Sequence, residues 1–165
     1  MSSSDRRTFL GLIAAAPLAA CGFTPAYGPA GPAQGITGQI GIADPTDRNS
    51  FDLVGRLQER LGRSRSPRWQ LGYAITTGSE GLGITSANTI TRYNVTGSVS
   101  YRLTDLASGQ TATQGTVKSF ASYSASGTVI STAASERDAY ERLMRILADQ
   151  IVTDLIATSA SWSGA

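Results

Sequence analysis

The chain has 165 residues, 14 basic and 12 acidic, with no histidine and one cysteine. That length suits one domain built on a single core, and the near balance of charge lacks the basic footprint of a nucleic-acid binder. The missing histidine excludes Ser-His-Asp and Cys-His catalysis and removes the commonest transition-metal ligand, while a lone thiol excludes a disulfide framework.

At the start of the chain, Arg6 and Arg7 precede an apolar run from Phe9 to Ala20 that closes on Leu18-Ala19-Ala20-Cys21. A charged opening, a short apolar stretch and small residues before a cut are the layout of an export signal. Leu-Ala-Ala-Cys resembles the bacterial lipoprotein signal. Residues 1–20 are therefore expected to be a removable lipoprotein signal peptide. Cys21 is expected to carry covalent diacylglycerol and an N-acyl chain such as palmitate, with no other cofactor. The alternative, a buried free cysteine on an apolar helix, does not account for the basic pair and the spacing. Arg6-Arg7 followed by Phe9-Leu10 also resembles a twin-arginine export motif. An ordinary basic n-region fits as well, and both routes lead across the cytoplasmic membrane.

Residues 21–35 are rich in proline and glycine and read as a flexible tether. From Ile36 to Ala43 the isoleucines alternate, which predicts a first strand, stopped by Asp44-Pro45. Asn49 and Asp52 are spaced as a capping pair. Leu53, Leu57 and Leu61 then recur every four residues before Gly62, predicting an amphipathic helix over 50–61. Arg63, Arg65 and Arg68 follow around Ser-Arg-Ser-Pro; a solvated connection is favoured over a phosphate-binding loop. Trp69, Leu71, Tyr73 and Ile75 alternate with small or polar residues as a second strand, and residues 78–89, with three glycines, read as a loop.

The clearest strand is 90–104, where Tyr93, Val95, Val99, Tyr101 and Leu103 face one way and Arg92, Asn94, Thr96, Ser98, Ser100 and Arg102 the other. Residues 105–110 form a hairpin turn containing Ser108-Gly109. Thr111 to Tyr123 is the fourth strand, with a bulge expected between Val117 and Phe120 because they are three apart. A final helix starts near Ser135, paired with Asp138 as a cap. It carries an apolar stripe of Tyr140, Leu143, Met144, Leu147, Ile151 and Leu155. Asp138 with Arg142 and Glu141 with Arg145 lie one helical turn apart on its charged face. Residues 159–165 are expected to fray.

The predicted fold is α+β: a four-stranded mixed sheet with two helices packed on one face, in the order β-α-β-β-β-α. Short loops make strands two to four an antiparallel meander, and the first helix lets strand one join in parallel. No apolar run is long enough to span a bilayer as a helix.

Cys21-Gly22-Phe23-Thr24-Pro25-Ala26-Tyr27-Gly28 resembles the mature start of the LptE family of lipopolysaccharide-assembly lipoproteins, in their alphaproteobacterial form. The likeness continues in Ser119-Phe120-Ala121-Ser122-Tyr123. It returns in the last helix at Glu136-Arg137-Asp138-Ala139, Leu143, Leu147-Ala148 and Ile151. The resemblance implies one LptE-like domain over 36–158. It implies a non-enzymatic protein that helps assemble and plug an LptD-like outer-membrane β-barrel and binds lipopolysaccharide on its way to the outer leaflet. It implies an outer-membrane location on the periplasmic face, held by the lipid anchor. Gly22 fits that sorting, since the common retention signal is an aspartate there.

Lipopolysaccharide carries phosphates, which arginine and lysine bind. Arg92 and Arg102, on the polar face of strand three, and Lys118, on the neighbouring strand, are the candidate contacts, chosen by charge and position. The alternative is an auxiliary lipoprotein of another envelope transport complex that makes no lipopolysaccharide contact. An envelope hydrolase built on Lys118 with nearby serines, or on Glu136 and Glu141, has no pocket implied by the pattern.

Overall fold

A computed structural model of the chain describes residues 35–84 and 90–163, together with Pro25, Gly28, Gly31 and Ala33. Strand β1 is Ile40–Ile42, helix α1 Arg48–Leu61, β2 Trp69–Ile84, β3 Ile90–Asp105, β4 Thr111–Ser124 and α2 Val129–Trp162. The four strands form one sheet in the order β1-β2-β3-β4. β1 runs parallel to β2, and β2, β3 and β4 are antiparallel neighbours. Both helices cover one face, so the fold is the α+β arrangement expected, in the order β-α-β-β-β-α.

Helix α1 begins at a reciprocal cap. The Ser50 N–H donates to Asp47 Oδ1 at 2.8 Å, and the Asp47 N–H donates back to Ser50 Oγ at 2.9 Å. The cap is thus Asp47 with Ser50, not Asn49 with Asp52: the helix starts two residues before the predicted position 50, ahead of the apolar repeat at Leu53. Leu53, Leu57 and Leu61 are fully buried, and Gly62 ends the helix at φ +77°, a backbone region open to glycine.

β1 is shorter than the predicted 36–43. Ile36 is buried but sits in a turn, with its N–H bonded to the Ala33 carbonyl and with Gly38 at φ +74°. Gly31 and Ala33, in the stretch read as a tether, are buried as well.

β2 continues to Ile84, so residues 78–84 are strand where a loop was expected; 85–89 lie outside the described residues. The reason is helix length. At 1.5 Å per residue α1 covers about 21 Å, whereas 16-residue β2 extends about 50 Å. Past Ile75 no helix shields β2, and residues 76–82 are exposed on both faces. A strand wet on both sides has no hydrophobic alternation to read.

On β3, Val95, Val99, Tyr101 and Leu103 point into the core as predicted. Gly97 shares that face, and a Cβ there would lie 3.0 Å from Leu147 Cδ1 and 3.1 Å from Leu143 Cδ2, so the glycine lets α2 approach the sheet closely here. The turn after β3 is held by Asp105, whose Oδ1 accepts from the Ala107 and Ser108 N–H groups at 2.8 and 2.9 Å, with Gly109 at φ +70°. Those bonds hold the Asp105 carboxyl below its usual range.

β4 has no bulge between Val117 and Phe120. Its register with β3 is unbroken from Thr113 to Ser124, and the single shift falls at Ala112. Phe120 sits on the outer face, 64% exposed.

Helix α2 starts seven residues earlier than expected, with Thr128 Oγ1 accepting from the Ser131 N–H. Val129 and Ile130 are exposed, so its first turns carry no buried stripe to reveal them. It also runs past Ser159, which is buried, to Trp162, making 159–162 helical rather than frayed. Trp162 packs edge-on against Trp69 with ring centroids 5.2 Å apart, and the Arg68 guanidinium lies 4.5 Å over Trp69. Arg56 and Arg60 of α1 both bond Asp149 of α2, joining the helices.

Candidate functional site

The helix-free face of the sheet is where the predicted bases lie. Alternation along the three long strands sends Ala74, Thr76 and Gly78 of β2 to this side. β3 contributes Arg92, Asn94, Thr96, Ser98, Ser100 and Arg102, and β4 contributes Gln114, Thr116, Lys118, Phe120, Ser122 and Ser124. Cross-strand hydroxyl and amide groups pair on it: Ser100 Oγ lies 3.1 Å from Thr116 Oγ1, and the Ser122 hydroxyl donates to Asn94 Oδ1 at 3.1 Å. The result is a broad hydroxyl-rich surface with few charges.

Arg92, Arg102 and Lys118 are all exposed on this one face, but they are not brought together. Lys118 is paired with Ser98, six residues from Arg92 and four from Arg102. At 3.3 Å per residue those separations are about 20 Å and about 13 Å along the strands. Each base lies by a different open hollow: Arg102 with Gly72, Ala74 and Gln114; Lys118 with Thr76, Gly78 and Phe120; Arg92 with Leu82, Ser124 and Ser126. Among the described residues none of the three is in an ion pair. Such a surface can hold anionic and sugar-like groups at several separate points; it does not form one chelating cluster.

Two outer-face residues were not anticipated. The bulge expected between Val117 and Phe120 would put both on one face; without it, the even spacing of Phe120 from Lys118 sends Phe120 outward. Glu80 lies on the stretch of β2 read as a loop and adds an acid to this face. Arg68, in the stretch expected to be a solvated connection, is instead taken up by Trp69, by the Ser163 carbonyl at 3.4 Å and by Asp105 at 3.9 Å. The two helix-surface pairs, Asp138–Arg142 and Glu141–Arg145, form as expected.

On the inner side, the Tyr101 hydroxyl donates to Asp154 at 3.3 Å. Burial first, and Asp154 second, push the Tyr101 phenol up to about 12. Glu136 and Glu141 fall on α2 and form no carboxylate dyad. Among the described residues no group of three or more acids could hold a metal, and no helix is long and apolar enough to cross a membrane. Arg6, Arg7, Leu18, Ala19, Ala20 and Cys21 lie outside the described residues.

Residues 37–155 match the family model described as LptE, lipopolysaccharide-assembly. The chain belongs to the LptE family. The LptE match takes in all four strands, α1 and most of α2, so it includes the whole hydroxyl-rich face. The family is described by its part in lipopolysaccharide assembly. No curated relative matches the sequence.

Solved structures share the LptE-type fold at low identity. A Caulobacter crescentus CB15 protein described as a lipoprotein is 22% identical, with a TM-score of 0.66 over 81% of this chain and 98% of its own. Rare lipoprotein B from Shewanella oneidensis is 12% identical, with a TM-score of 0.58 over 74% of this chain and 95% of its own. A minor lipoprotein from Acinetobacter baumannii is 19% identical, with a TM-score of 0.53 over 73% and 88%.

Proposed function

We propose that this LptE-family protein is a non-catalytic lipoprotein of the outer membrane, anchored on the periplasmic face through acylated Cys21. It assembles with and plugs an LptD-like β-barrel and binds lipopolysaccharide in transit. The observation that carries the reading is the family match over 37–155, which spans the face bearing Arg92, Arg102 and Lys118.

Physical chemistry supports each part. Acyl chains contribute about 0.8 kcal/mol per buried methylene, so several chains on one cysteine give lasting attachment where one does not. The lumen of a wide barrel is polar, and a sheet face of serine, threonine and a few bases can pack against it without burying bare charge. Exposed guanidinium and ammonium groups suit phosphate.

The test has two arms. Mass spectrometry of the protein from its native membrane should find an N-terminus at Cys21 carrying diacylglycerol and an N-acyl chain. Purified protein should retain lipopolysaccharide, and reversing charge at Arg92 and Lys118 should weaken that retention. An unprocessed leader with a free thiol overturns the anchor. Unchanged retention rules out those two bases.

A further inference from the structure

The sheet ends on one side in an open strand, and its backbone geometry says what fits there. The Ala125 N–H donates to the Thr91 carbonyl at 2.8 Å, and these residues continue the β3–β4 register of Arg92 with Ser124. In an antiparallel pair, directly bonded and non-bonded pairs alternate. The odd residues of β4 therefore bond β3, and the even ones turn their N–H and C=O groups away from the sheet. Ser122 agrees: its carbonyl accepts from Arg142 Nη2 at 3.1 Å, reaching over from α2. Gln114, Thr116, Lys118 and Phe120 are left with outward backbone donors and acceptors.

Open edges are usually blunted by charges, proline, bulges or shortness. β4 is 14 residues long and has no proline and one charge, Lys118. Its register shift is confined to Ala112, outside the open stretch. The opposite edge differs. β2 is partly covered by β1, carries Glu80, and has register shifts at Gly81–Gly83 and Gly83–Ile84. Among the described residues, β4 is the edge without these guards.

We propose that the Gln114–Phe120 edge of β4 receives an extended, acid-bearing segment of the partner polypeptide as an added strand. The inference rests on the assembly reading above for the source of that segment, the barrel partner. Charge selects the occupant. Arg92, Arg102 and Lys118 outweigh Glu80 on the outer face, so a strand with carboxylates on that side is complementary. A second copy is not. Pairing the open stretch with itself sets Thr116 against Lys118 and brings the two Lys118 side chains to diagonal positions about 7–8 Å apart, within reach of mutual repulsion. Main-chain hydrogen bonds supply the affinity in strand addition, and alternate side-chain contacts supply the specificity.

The test expresses the full-length lipidated protein with its barrel partner and measures recovery of that barrel. Thr116→Pro deletes an N–H that faces out of the sheet, so the β3–β4 ladder keeps its bonds. It should lower recovery about tenfold while thermal melting stays near wild type, and Lys118→Glu should also lower it. A benzophenone amino acid at Gln114 or Lys118 should cross-link to an acid-bearing segment of the barrel. Wild-type recovery by a folded Thr116→Pro protein overturns the proposal and leaves the assembly reading intact. So do cross-links to β4 of a second copy. If Thr116→Pro does not fold, the cross-link decides. If the wild-type protein recovers no barrel, the assembly reading fails and takes the named occupant with it.

Discussion

Gly115 faces Tyr101 across the β3–β4 pair, and a Cβ at Gly115 would stand 2.6 Å from Tyr101 Oη and 2.8 Å from Cζ. The aromatic ring fills the space that the glycine leaves empty, and from there its hydroxyl reaches Asp154. Gly115→Ala must displace the ring and should cost about 1–3 kcal/mol as overpacking. Chemical denaturation will measure it. In a Tyr101→Leu background the same change should cost much less, because the obstructing ring is gone.

The Tyr101 phenol also gives the fold an alkaline limit. Its pKa rises from 10.0 to about 12, so the native state holds the proton that the unfolded chain gives up. The stabilisation is complete below pH 10.0 and is lost as pH rises toward about 12. Tyr73 and Tyr123 are raised by burial too. Tyr101→Phe should therefore flatten the fall in melting temperature across this window without abolishing it.

Asp149 receives Arg56 Nε at 3.0 Å and Arg60 Nη1 at 2.8 Å, coupling α1 to α2. Asp149→Ala should lower the melting temperature modestly. The difference from wild type should shrink in high salt, since these groups are partly exposed and screened. An effect independent of salt would assign the residue to packing instead.

The three outer-face bases are farther apart than the physiological screening length of about 8 Å. Their contributions to binding a multi-phosphate ligand should be independent. Reversing Arg92, Arg102 and Lys118 one at a time, then in pairs, should give losses that multiply in a lipopolysaccharide retention assay. Losses that saturate after the first change would indicate a shared pocket.

Where a side chain alternates between core and water, the sequence was easy to read. β3 shows it, with Val95, Val99 and Leu103 inside and Arg92, Thr96 and Arg102 outside. α1 shows it at helical period. Where neither side is buried the signal vanishes, which hid the far half of β2 and the first turns of α2 around Val129 and Ile130. Phe120 misled for the opposite reason. A bulge is the natural way to give a large aromatic three residues from Val117 the same face, yet Phe120 stands outside with an unbroken register. At the candidate site the face of Arg92 and Arg102 was legible from parity alone, whereas that of Lys118 rests on the unbroken register of β4 with β3. The spread between the bases was not, because it depends on the β3–β4 register.

The Thr76–Leu82 stretch of β2 has water on both sides, and Tyr93 of β3 stacks on Tyr123 of β4 at 5.3 Å. Local opening there exposes little new apolar area, so it should demand only a fraction of the global unfolding free energy. Amides from Thr76 to Leu82 should exchange with deuterium long before those of Leu71 or Leu103. The molecule would then behave as a stiff block with a pliant prow, able to conform to whatever it enters while the block holds its shape.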